Sequence, residues 1–98
     1  MEDLQIESKL IKLSKQVQDA LESEKIYANV SHTTIPAMIM VEITLGDWKK
    51  DHIAAKNLIK DKFDLVCART DEEANADDAF TATHYFFCSY RHLENIKE

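Results

Sequence analysis

Two histidines are the residues in this sequence best suited to do chemistry. His52 lies in an apolar stripe with helical spacing that begins at Trp48, and His84 lies in a run of strand-forming residues. An imidazole beside an apolar pocket can titrate near neutral pH and act as an acid, a base or a ligand. If the helix covers the strand face that carries His84, the two rings can approach. They then form either a pocket, with Trp48, in a small enzyme or ligand-binding protein, or an ordinary polar contact at the edge of the core.

No other group of residues completes a catalytic or metal site. His84 and Cys88 are four residues apart on a strand, which is about 13 Å and too far for one ion with bonds of about 2 Å. The sequence has a single glycine, so a glycine-rich phosphate loop is hard to build. The G-x-S-x-G, C-x-x-C and H-E-x-x-H motifs do not occur. We therefore predict no catalytic residue, no metal site and no cofactor, and the balance is against an enzyme.

The two cysteines, Cys67 and Cys88, each lie in an apolar strand-like segment. This placement predicts buried, reduced thiols that pack as small hydrophobic side chains. The alternatives are a Cys–His dyad with His52 or His84, and a disulfide between neighbouring strands.

The negative charge is concentrated in one segment, 71–78. The net charge of the chain is −6, and removing the five acids of this segment leaves −1. The five acids are Asp71, Glu72, Glu73, Asp77 and Asp78. We interpret the segment as a loop between the last two strands, serving as a solvated turn, a docking surface for a basic partner or a calcium site. The calcium interpretation is the weakest, because the segment lacks the glycine and the acid spacing of an EF-hand.

Hydrophobic periodicity predicts two helices and four strands in the order αββαββ. The helices cover 3–24 and 48–63, the second with Asp47 as its N-cap and Lys60 and Lys62 in its last turn. The strands cover 26–30, 37–45, 65–69 and 80–90, with a turn at 31–34 and a polar tail from 91. The first helix also carries a short heptad seam, so it packs on its own sheet or also pairs with a copy or a partner.

The strand at 37–45 determines which face of the sheet the helices cover. Its alternating residues are Ile39, Val41 and Ile43 on one face and Met38 and Met40 on the other. Only the first face is cleanly apolar, so both helices should lie against it. We predict one α+β domain over 1–98, a two-layer αββαββ sandwich with a four-stranded, mostly antiparallel sheet and two helices on one face. The aromatic strand at 80–90 should be central.

Several partner classes are disfavoured by composition. Aromatic residues in the last strand resemble stacking platforms, but no basic residues flank them and the chain is acidic, so we predict no direct nucleic-acid binding. No apolar run approaches the length of a membrane span. The acidic N-terminus is not followed by an apolar signal segment, which predicts a cytoplasmic location.

The leading functional hypothesis is a small, non-enzymatic binding or regulatory module. The sheet face with Met38, Met40 and alternate aromatics of the last strand offers adaptable apolar area. The acidic segment would orient a basic-surfaced protein, such as an enzyme that handles nucleic acid, and the module would inhibit it. A second copy of the chain is a further partner. The competing hypothesis is the small enzyme or ligand binder with a His52/His84 pocket.

Overall fold

A computed structural model describes residues 3–44, 48–74 and 80–96. Its two long helices are α1 (Asp3–Ser23) and α2 (Ile53–Phe63), and a π-helical turn (Trp48–His52) precedes α2. The four strands are β1 (Asn29–Thr34), β2 (Ala37–Thr44), β3 (Cys67–Ala74) and β4 (Phe80–Phe87). A short helix, α3 (Tyr90–Glu94), follows the last strand.

The strands form one antiparallel sheet in the order β1-β2-β4-β3. Strands β2 and β4 are therefore central, and β1 and β3 are the two edges. The αββαββ prediction is confirmed, as is the central position of the aromatic strand, and α3 is added to it.

Both long helices pack on one face of the sheet. Three cross-strand pairs lie beneath them: Ile39 with Phe86, Val41 with His84, and Ile43 with Ala82. All six residues are buried, and most of them join the apolar residues of α1 and α2 in one core cluster. Because directly opposite residues share a face, Met38, Met40, Tyr85 and Phe87 point to the other side. We call that side the open face.

Helix α1 ends within one residue of its predicted boundary. Its stripe of Ile6, Leu10, Leu13, Val17 and Leu21 is buried against the sheet, because spacings of three and four residues place these side chains on one helix face. The heptad seam is thus taken up by the chain's own core and is not offered to a partner.

Asp64 caps the C-terminus of α2: it adopts the left-handed conformation (φ 56°) and donates its N–H to the carbonyl of Lys60. Lys60 and Lys62 lie in the last turn, as predicted. The predicted N-cap, Asp47, lies outside the described residues.

The bounds of strands β1 and β3 were predicted wrongly. β1 begins at Asn29 and continues to Thr34, because pairing with β2 draws the polar residues of 31–34 into the sheet. The Thr33 hydroxyl then donates to the carbonyl of Pro36 across the turn (2.7 Å). Strand β3 runs to Ala74, so its three acids belong to an edge strand and not to a loop. The backbone bonds to β4 outweigh the low strand propensity of these acids.

The C-terminal segment is not a purely polar tail. Strand β4 ends at Phe87, and the Ser89 hydroxyl accepts the backbone N–H of His92 to cap α3. Leu93 and Ile96 are buried in the core. Tyr90 therefore belongs to α3 and not to the last strand.

Candidate functional site

The open face has an apolar patch formed by the two central strands. Its members are Met38 and Met40 of β2 and Tyr85 and Phe87 of β4. Phe87 is 52% exposed, a large fraction for a side chain of its size. A groove of about 420 Å³ runs along the patch and is lined by Pro36, Met38, Ala68, Arg69, Tyr85 and Phe87. The two methionines predicted to face away from the helices lie in or beside this groove.

An acidic band borders the patch on the same face. Its members are Glu42 of β2 and Asp71 and Glu73 of β3, placed there by their pairing with Thr83 and Thr81 of β4. All three carboxylates are exposed. Glu72 pairs with buried Ala82 and so belongs to the opposite side of the strand. Asp77 and Asp78 lie outside the described residues.

Arg69 connects the patch to the band. Its guanidinium carbon lies 4.4 Å from the centre of the Tyr85 ring, a cation–π contact. One of its nitrogens also lies 3.2 Å from the Asp71 carboxylate. Sequence reasoning missed Arg69 because its position depends on a bulge between Cys67 and Arg69 that shifts the register of β3. No local residue pattern marks that bulge.

The structure brings His52 and His84 into direct contact under α2. Nδ1 of His52 lies 2.9 Å from Nε2 of His84, and the ring centroids are 5.1 Å apart in an edge-on arrangement. The hydroxyl of Thr70 lies 2.9 Å from the other nitrogen of His84. Neither imidazole has any exposed surface. The pair is therefore a polar contact inside the core, and the side chain of Trp48 lies outside the described residues.

Burial and neighbouring charge keep His84 neutral. The pKa of His84 is lowered from 6.5 to about 4, first by desolvation and then by His52 and Lys56. Only one of the two facing nitrogens can carry a hydrogen, because two N–H groups pointing at each other would repel. The contact is therefore a single N–H···N bond in which the ring of His84 is uncharged. A solute in solution does not reach either ring in this conformation.

The two cysteines are free thiols of intermediate burial. The thiol of Cys67 donates to the carbonyl of Arg69 (3.2 Å) within its own strand. Burial raises the pKa of Cys88 to about 11, which leaves very little thiolate at neutral pH. Cys88 is thus poorly suited to act as a nucleophile.

Two further features limit the kinds of site. In the part of the chain that the structure describes, no three His, Cys, Asp or Glu side chains are placed to hold a metal ion together. None of the described helices combines the length and the apolar character needed to cross a bilayer.

Comparison with protein-family models, with curated proteins and with solved structures finds no match to this chain.

Proposed function

We propose that this chain is a protein-binding module that docks a basic-surfaced protein through the open face of its sheet. The observation that carries the proposal is the pairing of an apolar patch with an acidic band on the face that the helices do not cover. Apolar area supplies binding free energy and charge selects and orients the partner.

The apolar patch is suited to contact with another protein surface. Methionine is unbranched and polarizable, so Met38 and Met40 can adapt to side chains of different shape. Tyr85 and Phe87 add aromatic area, and aromatic residues are enriched in interface centres. The groove beside them accepts a side chain projecting from the partner.

The acidic band defines the chemistry of the partner. A surface that matches Glu42, Asp71 and Glu73 carries lysine or arginine beside an apolar side chain. Because these carboxylates are exposed, their attraction is screened by salt and acts mainly on the association rate. A nucleic acid fits less well, since the same carboxylates would repel its phosphates.

The His52/His84 interpretation receives no comparable support. Substrate binding needs an accessible group, and both rings are shielded from solvent. The open face therefore remains the better candidate for function.

The test is affinity capture from the native cell with a matched pair of variants. Phe87→Ala removes a side chain that is 52% exposed on the open face, and Ile53→Ala removes one that is 45% exposed on α2. We expect Phe87→Ala to weaken binding of the captured protein about tenfold or more and Ile53→Ala to leave it unchanged. Affinity should also decrease between low and physiological salt.

Two results would contradict the proposal. One is equal loss of binding by both variants, and the other is a captured partner whose contact surface is acidic. A change in the oligomeric state of Phe87→Ala alone would show instead that two copies of this chain dock through the open face.

A further inference from the structure

The pairing register arranges the side chains of the open face in rows across the two central strands. Each row holds one residue of β2 and its partner in β4. Counted from the turn between β1 and β2, the four rows are Met38 with Phe87, Met40 with Tyr85, Glu42 with Thr83, and Thr44 with Thr81. Alternate residues of a strand are about 6.8 Å apart, so the rows extend over about 20 Å.

The chemistry of the face changes once along these rows. The first two rows are apolar and the last two are polar. Asp71 and Glu73 of β3 border the polar rows, because they pair with Thr83 and Thr81. Together with Glu42 they place three exposed carboxylates beside the polar rows, and none of the described acids lies beside the apolar rows. The open face therefore has an apolar end and an acidic end.

Strand β4 runs along the middle of this divided face, between β2 and β3. We call its open-face side chains the β4 strip, and from the apolar to the acidic end they are Phe87, Tyr85, Thr83 and Thr81. Their size decreases in that direction. At the acidic end Thr83 has Glu42 on one side and Asp71 on the other. A long basic side chain from a partner thus has room above the threonines and a carboxylate on either side.

Arg69 shows what kind of group the boundary between the two ends accepts. Its guanidinium carbon lies 4.4 Å from the centre of the Tyr85 ring, and one of its nitrogens lies 3.2 Å from the Asp71 carboxylate. A guanidinium here contacts an aromatic face and a carboxylate at once. Both side chains of the ion pair are more than half exposed, so the contact is weak and an arginine from a partner can replace it.

A helix fits this face better than an extended segment does. The face presents side chains only, because the backbone groups of β2 and β4 bond to the strands on either side of each. An extended segment lying on the apolar rows would bury its own N–H and C=O groups without partners, whereas a helix satisfies them internally. The other face of the same sheet is already covered by helices α1 and α2.

We propose that the open face binds an amphipathic helix of the partner protein along the β4 strip. This inference rests on the proposed function and names the element that docks. About 14 residues of helix cover the 20 Å of the strip. The side that faces the sheet carries bulky apolar residues over Phe87 and Tyr85, and lysine or arginine over Thr83 and Thr81. One arginine of the helix takes the place of Arg69.

Charge complementarity sets the order of residues along this helix. Its basic end meets three carboxylates, and its apolar end meets the methionines, the aromatic rings and the groove beside them. A helix with the same residues mixed along its length would place some cations over apolar side chains and some apolar side chains beside carboxylates. Both arrangements cost desolvation free energy without compensation.

Two synthetic peptides of equal composition test this order. Both are alanine-based helices of about 16 residues, held helical by side-chain bridges on the side away from the sheet. In the segregated peptide, leucines occupy one half of the contact side and arginines the other half. In the interleaved peptide they alternate along the same side. Calorimetric titration of the full chain at physiological salt should show at least about tenfold tighter binding of the segregated peptide.

Three results with these peptides would overturn the proposal. The first is equal affinity of the two peptides, and the second is no binding of the segregated peptide. The third concerns a segregated peptide without side-chain bridges. It should gain helix when it binds, as measured by far-UV circular dichroism, and a bound peptide that stays extended contradicts a helical partner.

A matched pair of lysine substitutions tests the position over β4. Thr83→Lys places a positive charge between Glu42 and Asp71 and should weaken binding of the segregated peptide about tenfold. Ser31→Lys makes the same charge change on β1, two strands away from β4, and should alter the affinity less than about twofold. Thermal unfolding checks that both variants are folded, and equal losses of affinity would contradict a helix along β4.

Arg69→Ala tests the replacement of Arg69 by an arginine of the partner. The variant leaves Tyr85 and Asp71 available, so the segregated peptide should bind about threefold more tightly at low salt. Weaker binding would contradict the replacement.

Failure of this inference is distinguishable from failure of the proposed function. If Phe87→Ala weakens capture of the native partner but the segregated peptide does not bind, the open face docks a different element and only the helix is excluded. If Phe87→Ala leaves capture unchanged, both the proposed function and the helix are excluded.

Discussion

Successive residues of strand β4 point to two faces of the sheet with different surroundings. Ala82, His84 and Phe86 lie under the helices with no exposed surface, whereas Thr83, Tyr85 and Phe87 retain contact with solvent. The buried side combines apolar packing with one polar contact, between His52 and His84. The open side combines apolar and charged residues that none of the described helices covers. Residues of the first kind should control stability and residues of the second kind should control binding.

The largest effect on stability is expected at Phe86. Phe86→Ala should lower the free energy of unfolding by about 3–5 kcal/mol, since it leaves a cavity in the middle of the core. Phe87→Ala, at the next position on the other face, should cost about 1 kcal/mol or less. Urea denaturation of both variants measures the difference. Equal losses would show that the two faces are not divided in this way.

Acid should destabilise the protein through buried His84. Because burial lowers the pKa of His84 in the folded state, the unfolded chain takes up its proton first as the pH decreases. Above about pH 6.5 His84 is uncharged in both the folded and the unfolded chain, and its protonation does not lower the stability. Between about pH 6.5 and pH 4 the unfolded chain binds the proton more readily, so the free energy of unfolding decreases progressively. The expected loss is about 2–3 kcal/mol, measured by urea denaturation at a series of pH values.

A matched pair of histidine variants assigns the pH effect to the core. His84→Gln should flatten the decrease in stability between about pH 6.5 and pH 4, although the variant itself will be less stable. His32→Gln, on edge strand β1, should retain the decrease. The same pH profile for both variants would assign the effect to other groups.

A smaller effect is expected from the hydroxyl that orients His84. Thr70→Val keeps the shape of the side chain but removes its bond to the ring, which should cost about 1–2 kcal/mol. Thr83→Val makes the same change on the open face and should be close to neutral. Thermal unfolding of the two variants provides the comparison, and a neutral Thr70→Val would mean that the bond does not stabilise the pair.

The smallest effect is expected from the contact between Arg69 and Tyr85. Both side chains are on the open face, so Arg69→Ala should lower stability by only about 0.5 kcal/mol. It should nevertheless change binding of a basic partner, because the variant removes a positive charge beside Asp71. Stronger binding at low salt is expected, and weaker binding would indicate that Arg69 itself contacts the partner.

The sequence predicted the sheet face best where alternation was clean. In β2, isoleucine and valine alternate with methionine, and this pattern was enough to place both helices on the correct side. The pattern is weaker in β1 and β3, where polar residues follow the apolar ones. Their strand conformation comes from pairing with β2 and β4, which is a long-range effect that local composition does not contain.

The candidate site was predictable only in part for the same reason. The sequence predicted that His52 and His84 can approach each other, because one lies on the apolar stripe of a helix and the other on a strand. It did not predict that Thr70 lies beside His84, because that contact depends on the register of β3. That register contains a bulge, and beyond the bulge the alternation of the strand places Asp71 and Glu73 on one side of the sheet and Glu72 on the other. The sequence showed one acidic segment, whereas the structure divides it between two sides of the sheet.

The direct test of the proposed open-face function uses this division of the acids. Asp71→Lys and Glu72→Lys make the same charge change at adjacent positions of β3, one in the acidic band and one on the opposite side. Binding to the captured partner should weaken about tenfold or more for Asp71→Lys at low salt and stay near the wild-type value for Glu72→Lys. Equal affinities of the two variants, or a larger loss for Glu72→Lys, would contradict docking through the open face.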